Sequence, residues 1–164
     1  MKLYHYIPKN SDLQRGILSV SELPDELLKY AKRAGSDNPD EIKIWLENTF
    51  LGRSRSISVL TEPVRWQKND PMLKEWVDQK ELIEIDFDAL LVDDLIEAVW
   101  CKTSSDCEGK KEKFYKISFD KIDFSPLPWH LCSKEKRLFF GTIRHYFLVL
   151  KDGYIPPRYI KKVI

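Results

Sequence analysis

A histidine lies near the start of the chain between two tyrosines, in the run Tyr4-His5-Tyr6. A neutral imidazole can donate one hydrogen bond and accept another, which suits hydroxyl groups. Either tyrosine can stack on a planar ring. The alternative is a partly buried histidine that is satisfied by the backbone. Both interpretations stay open on the sequence alone, and His5 is the first candidate for a functional group.

A second group of reactive side chains falls in the middle of the chain. Its hydroxyl groups are those of Ser56, Ser58 and Thr61, and its guanidinium groups those of Arg53 and Arg55. Hydroxyl groups are adaptable hydrogen-bonding partners, and guanidinium forks match the oxygens of a diphosphate. The two arginines could equally mark a solvated sheet edge, where basic residues discourage strand pairing. Glu62 follows this segment directly and supplies a carboxylate.

Thiol and imidazole groups form a third set, made of Cys101, Cys107, His130 and Cys132. They are the ligand types of a tetrahedral zinc site, but the spacing of the first two cysteines is wider than a zinc knuckle uses. A catalytic thiol at Cys132, with His130 or His145 as its base, is a second alternative. An odd number of unevenly spaced cysteines argues against a disulfide framework. We therefore expect reduced thiols and no metal.

Alternating and helical patterns predict the elements that carry these groups. Strands are predicted at 2–7, 54–60, 82–85, 96–100, 114–119 and 146–150. Helices are predicted at 13–18, from Ser21 to Gly35, from Asp37 to Gly52 and after Asp70-Pro71, with at most one helical turn in 87–94. Helices crowd the N-terminal half and short connectors separate the later strands. This order predicts one α+β domain over residues 1–164 with a mostly antiparallel sheet.

Residues 102–113 are almost all polar and lack apolar periodicity, which predicts a mobile loop. Trp66 and Trp129 also fall in loop-like stretches, where an exposed ring could stack on a base or grip a partner protein. The alternative for both rings is that they fill the edge of the core.

The overall composition excludes several classes of protein. With 27 Lys and Arg against 26 Asp and Glu, the net charge of +1 gives no general attraction to nucleic acid or to anionic membranes. No apolar run is long enough to span a bilayer, and the first residues lack the apolar stretch of a signal peptide. We expect a cytoplasmic protein, with export as an effector by another route left open.

The order of these segments resembles that of small ADP-ribosyltransferase-like proteins. Members of that group commonly open with a Tyr-His strand, a short helix and a bend of a small residue followed by Ile-Leu. They continue with a Ser- or Thr-rich strand and end with a strand that leads to an Ile-Pro segment. The matching stretches here are residues 3–8, 13–18, 56–63 and 153–160, with the strand at 82–86 between them.

The resemblance implies a split antiparallel sheet that binds NAD. It implies that His5 contacts the NAD ribose, that Ser56, Ser58 and Thr61 shape the nicotinamide pocket, and that Tyr4 or Tyr6 stacks on a ring. Transferases of this group place a Glu on a late strand, where it stabilises the cation that develops at the anomeric carbon. The corresponding strand, residues 144–149, has no acid, and Glu62 is the substitute that we consider.

Two hypotheses of different classes follow. The first is an NAD-dependent ADP-ribosyltransferase-like domain that transfers ADP-ribose to a macromolecule, with His5 and Glu62 at its centre. The second is a non-enzymatic interaction module, an inhibitor or effector that contacts a protein target through Trp66, Trp129 and the loop at 102–113.

Overall fold

A computed structural model describes residues 1–63, 71–102, 114–122 and 145–163. In chain order, its strands are β1 (Lys2–Pro8), β2 (Ile17–Leu18), β3 (Ser56–Leu60), β4 (Lys80–Asp86), β5 (Ile96–Lys102), β6 (Phe114–Ile117), β7 (His145–Leu150), β8 (Tyr154–Ile155) and β9 (Ile160–Lys162). Its helices are α1 (Pro24–Leu28), α2 (Ala31–Ala34), α3 (Pro39–Thr49), α4 (Pro71–Asp78) and α5 (Phe87–Val92).

Seven strands form one antiparallel sheet in the order β6-β5-β7-β3-β1-β4-β9, and β2 pairs with β8 in a separate ribbon. The predicted α+β class with a mostly antiparallel sheet is confirmed. None of the described helices is long and apolar enough to cross a membrane.

One side of the sheet, here called the core face, carries the main hydrophobic core. Leu3 and Ile7 of β1 project to it beside Ile83 and Ile85 of β4, and all four side chains are buried. Strand alternation puts every second residue on this face, and α5 covers it with the fully buried Phe87. Because these four apolar side chains are buried on one face, the alternation fixes the register of β1 against β4.

The β2/β8 ribbon packs on the core face through Ile17 and Ile155, which pair with each other and are buried. The prediction of a helix at 13–18 is wrong here. Gly16 has φ +80, and a Cβ at this position would overlap the backbone carbonyl of Ile155. Glycine is favoured here because the backbone is left-handed and because the Ile155 backbone lies too close for a side chain. The spacing of Leu13, Ile17 and Leu18 gives no information about that contact.

The other side of the sheet, here called the opposite face, carries an aromatic cluster at its β5–β7 end. Phe50, which follows α3, lies 5.0 Å from the ring of Trp100 and 5.5 Å from that of Phe147. Phe114 of β6 completes the cluster at 4.9 Å from Phe50. These rings anchor α3 to the sheet.

The start of α3 follows the capping prediction. The Asn38 side chain accepts a hydrogen bond of 2.9 Å from the backbone N–H of Asp40, and Pro39 occupies the first turn. The longer helix predicted before it, from Ser21 to Gly35, is instead divided into α1 and α2, with Gly35 in the left-handed conformation at its end. Leu27 of α1 packs on Ile42 and Leu46 of α3.

Candidate functional site

β1 is joined unequally to its two neighbours in the sheet. All seven of its residues, Lys2 to Pro8, pair with β4. On the other side, the ladder between β1 and β3 has one pair, Tyr4 with Leu60. The sheet is therefore weakly joined between β1 and β3, and the residue that follows Tyr4 is His5.

The His5 ring occupies the point where the ladder between β1 and β3 stops. Its Nδ1 lies 2.6 Å from the backbone oxygen of Ser58. Because a carbonyl oxygen can only accept, Nδ1 carries the hydrogen of this bond. A neutral ring then exposes a lone pair on Nε2, so the backbone of β3 selects one tautomer and leaves Nε2 as an acceptor.

The charge of the ring is set by its surroundings. Burial lowers the pKa of His5 from its usual value of 6.5, because a buried imidazolium loses hydration. The hydrogen bond to Ser58 opposes this decrease in pKa, and the positive charge of Lys80 adds to it. The ring is therefore neutral at pH 7, and Nε2 can accept a hydrogen bond from a hydroxyl group.

The predicted ring-stacking and hydroxyl residues project away from His5. Tyr4 and Tyr6 alternate with His5, so they lie on the opposite face while His5 projects to the core face beside Leu3 and Ile7. Ser56 and Ser58 also project to the opposite face, and all four of these side chains are half-buried. Ser58 contacts the His5 ring through its backbone oxygen and not through its side chain.

Arg53 lies inside a cage of aromatic side chains. Its guanidinium carbon is 5.0 Å from the ring centroid of Phe114 and 5.8 Å from those of Tyr30, Trp45 and Phe50. The side chain is 7% exposed and donates a hydrogen bond of 2.9 Å to Thr49. The guanidinium group therefore packs between α3 and the sheet, where it contacts aromatic rings and is bonded within the chain.

Arg55 is also engaged within the chain. Its guanidinium lies 2.8 Å from the carboxylate of Glu97 on β5 and 3.4 Å from the backbone oxygen of Leu150. β3 lies between β7 and β1, so the alternative interpretation of Arg53 and Arg55 as a solvated edge is wrong. Sequence patterning could not reveal this, because strand order in a sheet is not encoded in the strand itself.

Thr61 and Glu62 follow β3 at the Tyr4 end of the junction, beyond the pair of Tyr4 with Leu60. Thr61 is buried and Glu62 is half-buried. A carboxylate that the sequence did not single out lies across from the same tyrosine. Glu84 of β4 pairs with Tyr4 and approaches the Lys2 ammonium group at 3.7 Å. Period-two alternation along β4 is the signal that could have found it.

The β2/β8 ribbon brings together two motifs from distant parts of the sequence. The bend at residues 16–18 pairs with the start of the Ile-Pro segment, as Ile17 with Ile155 and Leu18 with Tyr154. Tyr159 then ties this segment to the end of α5, since its hydroxyl donates to the Asp93 carboxylate. That bond raises the pKa of Tyr159.

Several predicted residues cannot be compared with the structure. Trp66, Cys107, Trp129, His130 and Cys132 lie outside the described residues, as do residues 103–113 of the predicted mobile loop. Lys102, the first residue of that loop as predicted, is instead the last residue of β5. Cys101 is buried in the core at β5.

No protein-family model, curated protein or solved structure matches this chain.

Proposed function

We propose that this chain is an ADP-ribosyltransferase-like domain that binds NAD or a related nucleotide beside His5, where β1 and β3 part. The single observation that carries the proposal is the 2.6 Å hydrogen bond from His5 Nδ1 to the Ser58 carbonyl. It orients the ring and leaves Nε2 as the acceptor for a ribose hydroxyl. The weak junction between β1 and β3 is the feature that corresponds to the split sheet implied by the resemblance.

The chemistry that we propose is substitution at the anomeric carbon of the NAD ribose. The bond from this carbon to the nicotinamide nitrogen breaks, a new bond forms to a nucleophile of the macromolecular acceptor, and the proton of that nucleophile passes to solvent. Glu62 is the proposed carboxylate that holds a ribose hydroxyl and stabilises the developing cation. Arg53 and Arg55 have no part in the proposal, because both guanidinium groups have partners within the chain.

Binding is tested by ligand-observed NMR and thermal shift with NAD on the wild type, His5→Asn and His5→Ala. The amide nitrogen of Asn can replace Nδ1 as the donor to Ser58, but Asn has no group at the position of Nε2. We expect His5→Asn to keep the melting temperature near that of the wild type and to lose NAD binding. His5→Ala should lose both the fold-supporting bond and the binding.

An equal affinity of the wild type and His5→Asn for NAD would overturn the proposal, as would no response of the wild type to NAD. Catalysis is tested separately by release of nicotinamide from NAD in the presence of candidate acceptors. Glu62→Gln keeps the size of the side chain and removes its charge. We expect it to retain NAD binding and to decrease nicotinamide release by roughly 100-fold or more, the scale of one lost electrostatic contact in a transition state.

A further inference from the structure

The seven-stranded sheet consists of two halves that are each well paired. In the three-strand half, β1-β4-β9, every residue of β1 pairs with β4. In the four-strand half, β6-β5-β7-β3, every residue of β3 pairs with β7. Between the halves, the described residues of β1 and β3 form one pair, Tyr4 with Leu60. This junction, here called the seam, has the fewest strand pairs in the described part of the sheet.

Successive residues of β1 point their backbone groups to different neighbouring strands, as in any antiparallel ladder. The Met1 carbonyl oxygen accepts a hydrogen bond of 3.3 Å from the amide of Phe87, which follows β4. The odd-numbered residues of β1 therefore face β4, and the even-numbered Tyr4 and Tyr6 face β3. The backbone N–H of Tyr6 thus points into the seam.

His5 takes the place of a strand pair at the seam. The pair of Tyr4 with Leu60 is the last that β1 and β3 form along the described ladder. Regular antiparallel register would next bring Tyr6 opposite Ser58. The Ser58 carbonyl oxygen instead accepts the 2.6 Å hydrogen bond from His5 Nδ1. One side-chain hydrogen bond therefore stands where backbone hydrogen bonds would otherwise join the two halves.

The helices on the opposite face fall on either side of the seam. α3 is held on the four-strand half, where the Phe50 ring lies 5.0 Å from that of Trp100 and 5.5 Å from that of Phe147. α4 is held on the three-strand half, where the Trp76 ring lies 5.1 Å from that of Tyr6. Because each half carries its own helix, the halves can move relative to each other without breaking these ring contacts.

The core face, in contrast, is continuous across the seam. One hydrophobic cluster contains Leu3 and Ile83 of the three-strand half together with Ile57 and Val59 of the four-strand half. The Phe87 side chain of α5 belongs to the same cluster. Separating these side chains would expose apolar surface to water, which is unfavourable. An opening at the seam is therefore a bend about the core face that widens the opposite face.

We propose that the sheet bends open at the seam, and that the hydrogen bond from His5 to Ser58 is the latch that holds it closed. The side chains of Tyr4, Tyr6 and Ser58 are half-buried on the opposite face, so opening the seam exposes them. The bend is a property of the free protein and does not depend on the proposed binding of a nucleotide.

The experiment is amide hydrogen exchange, measured by NMR at several low concentrations of urea on the protein without ligand. The amides of Tyr6 and Ser58 report on the seam. Because the Ser58 carbonyl points to β1, the Ile57 amide points to β7 and reports on the four-strand half. The His5 amide points to β4 and reports on the three-strand half.

In the wild type, we expect the two seam amides to share one opening free energy that depends little on urea, because a bend exposes little surface. They should exchange at least about 100-fold faster than the amides of His5 and Ile57, which stay bonded while the seam is open. Different opening free energies for Tyr6 and Ser58 would indicate fraying of one strand and would overturn the bend.

The latch is tested with two substitutions of His5. His5→Leu removes the donor and keeps an apolar side chain, so the seam amides should exchange roughly tenfold faster. His5→Asn keeps a donor, so their exchange should stay within about threefold of the wild type. The control is Ile57→Val, which removes one methylene group from a buried position of β3. It should speed exchange within the ladders and leave the seam amides unchanged.

Two further results would overturn the inference. If the seam amides of the wild type exchange as slowly as those of His5 and Ile57, with the same dependence on urea, the sheet does not bend there. This comparison needs no variant to fold. If His5→Leu speeds the seam and ladder amides equally, as a merely structural residue would, His5 is not the latch. Neither result bears on NAD binding, which is measured separately with His5→Asn.

Discussion

Two regions of this protein place a cationic side chain beside aromatic rings, and they differ in how exposed that side chain is and in how many partners it has within the chain. Arg53 is 7% exposed, sits 5.0 Å from Phe114 and donates to Thr49 within its cage. Lys80 is half-buried at the rim of a groove between α4, β4 and β9, and in the described part of the chain its ammonium group lies near a single ring, that of Trp76, at 5.9 Å from the centroid. A basic residue beside aromatic rings is therefore either enclosed in the fold or left at its surface, according to its burial and its partners.

The strongest way to test this contrast is to remove the Arg53 charge. Arg53→Met keeps much of the side-chain volume but removes the interaction with the surrounding rings and the hydrogen bond to Thr49. We expect the free energy of unfolding, measured in urea, to decrease by about 3 kcal/mol.

Arg33 supplies a matched control for that measurement. It lies 5.6 Å from the same Trp45 ring but is exposed. Arg33→Met should decrease the free energy of unfolding by less than about 1 kcal/mol. A similar small decrease for Arg53→Met would show that the cage is not a stabilising element.

His5 lies between the two extremes, because its half-buried ring donates a hydrogen bond through Nδ1 and keeps Nε2 as an acceptor. Its pKa is lower in the folded protein than the usual 6.5, chiefly through burial. Below about pH 6.5 the unfolded chain then binds more protons than the folded one, so stability decreases as the pH falls toward the folded-state pKa. The slope from this one group is at most about 1.4 kcal/mol per pH unit.

The measurement is urea unfolding between pH 7.5 and pH 5, run on the wild type and on His5→Asn, which has no imidazole at that position (both pH limits are roughly one unit or more from the usual imidazole pKa). We expect the difference in stability between them to change over this interval and to be constant above it. Protonation of the folded protein also removes the acceptor on Nε2, so NAD affinity should fall as the pH approaches the lowered folded-state pKa of His5, below the pH at which stability begins to decrease. Parallel stability curves for the two proteins would contradict a lowered pKa at His5.

The smallest expected effect on stability belongs to Lys80. Its ammonium group forms no ion pair with a described acid and lies 5.9 Å from the centroid of the Trp76 ring. Lys80→Gln should change the free energy of unfolding by no more than about 0.5 kcal/mol. A destabilisation close to that of Arg53→Met would show that the groove, like the cage, is part of the structural core.

Much of the fold was predictable because its signals are local. The capped start of α3 at Asn38 depends on one side chain and its neighbours in sequence. The alternation in β1 also indicates that His5 projects to one face of the sheet and its flanking tyrosines to the other, although the sequence analysis did not draw this conclusion. The helix predicted around Gly16 failed because the deciding contact, with the backbone of Ile155, joins distant parts of the chain.

The candidate site was predictable only in part, for the same reason. His5 was chosen from its residue type, but its partner, the Ser58 carbonyl, is 53 residues away in sequence. Lys80 was not chosen at all, because a lysine at the start of a strand carries no distinguishing pattern. Only the packing of α4 against β1 and β4 puts it beside the Trp76 ring, and among the described residues no acid lies within ion-pair distance of it.

The sequence by itself determined the α+β class, the capped helix and the first strand with its histidine, because propensity, capping and period-two alternation act over a few residues. The tertiary structure alone decided that β3 is a central strand, that Arg53 is enclosed, and that His5 lies where two strands part. Those properties depend on which strands become neighbours, and strand order follows from the free energy of the whole sheet rather than from any one segment.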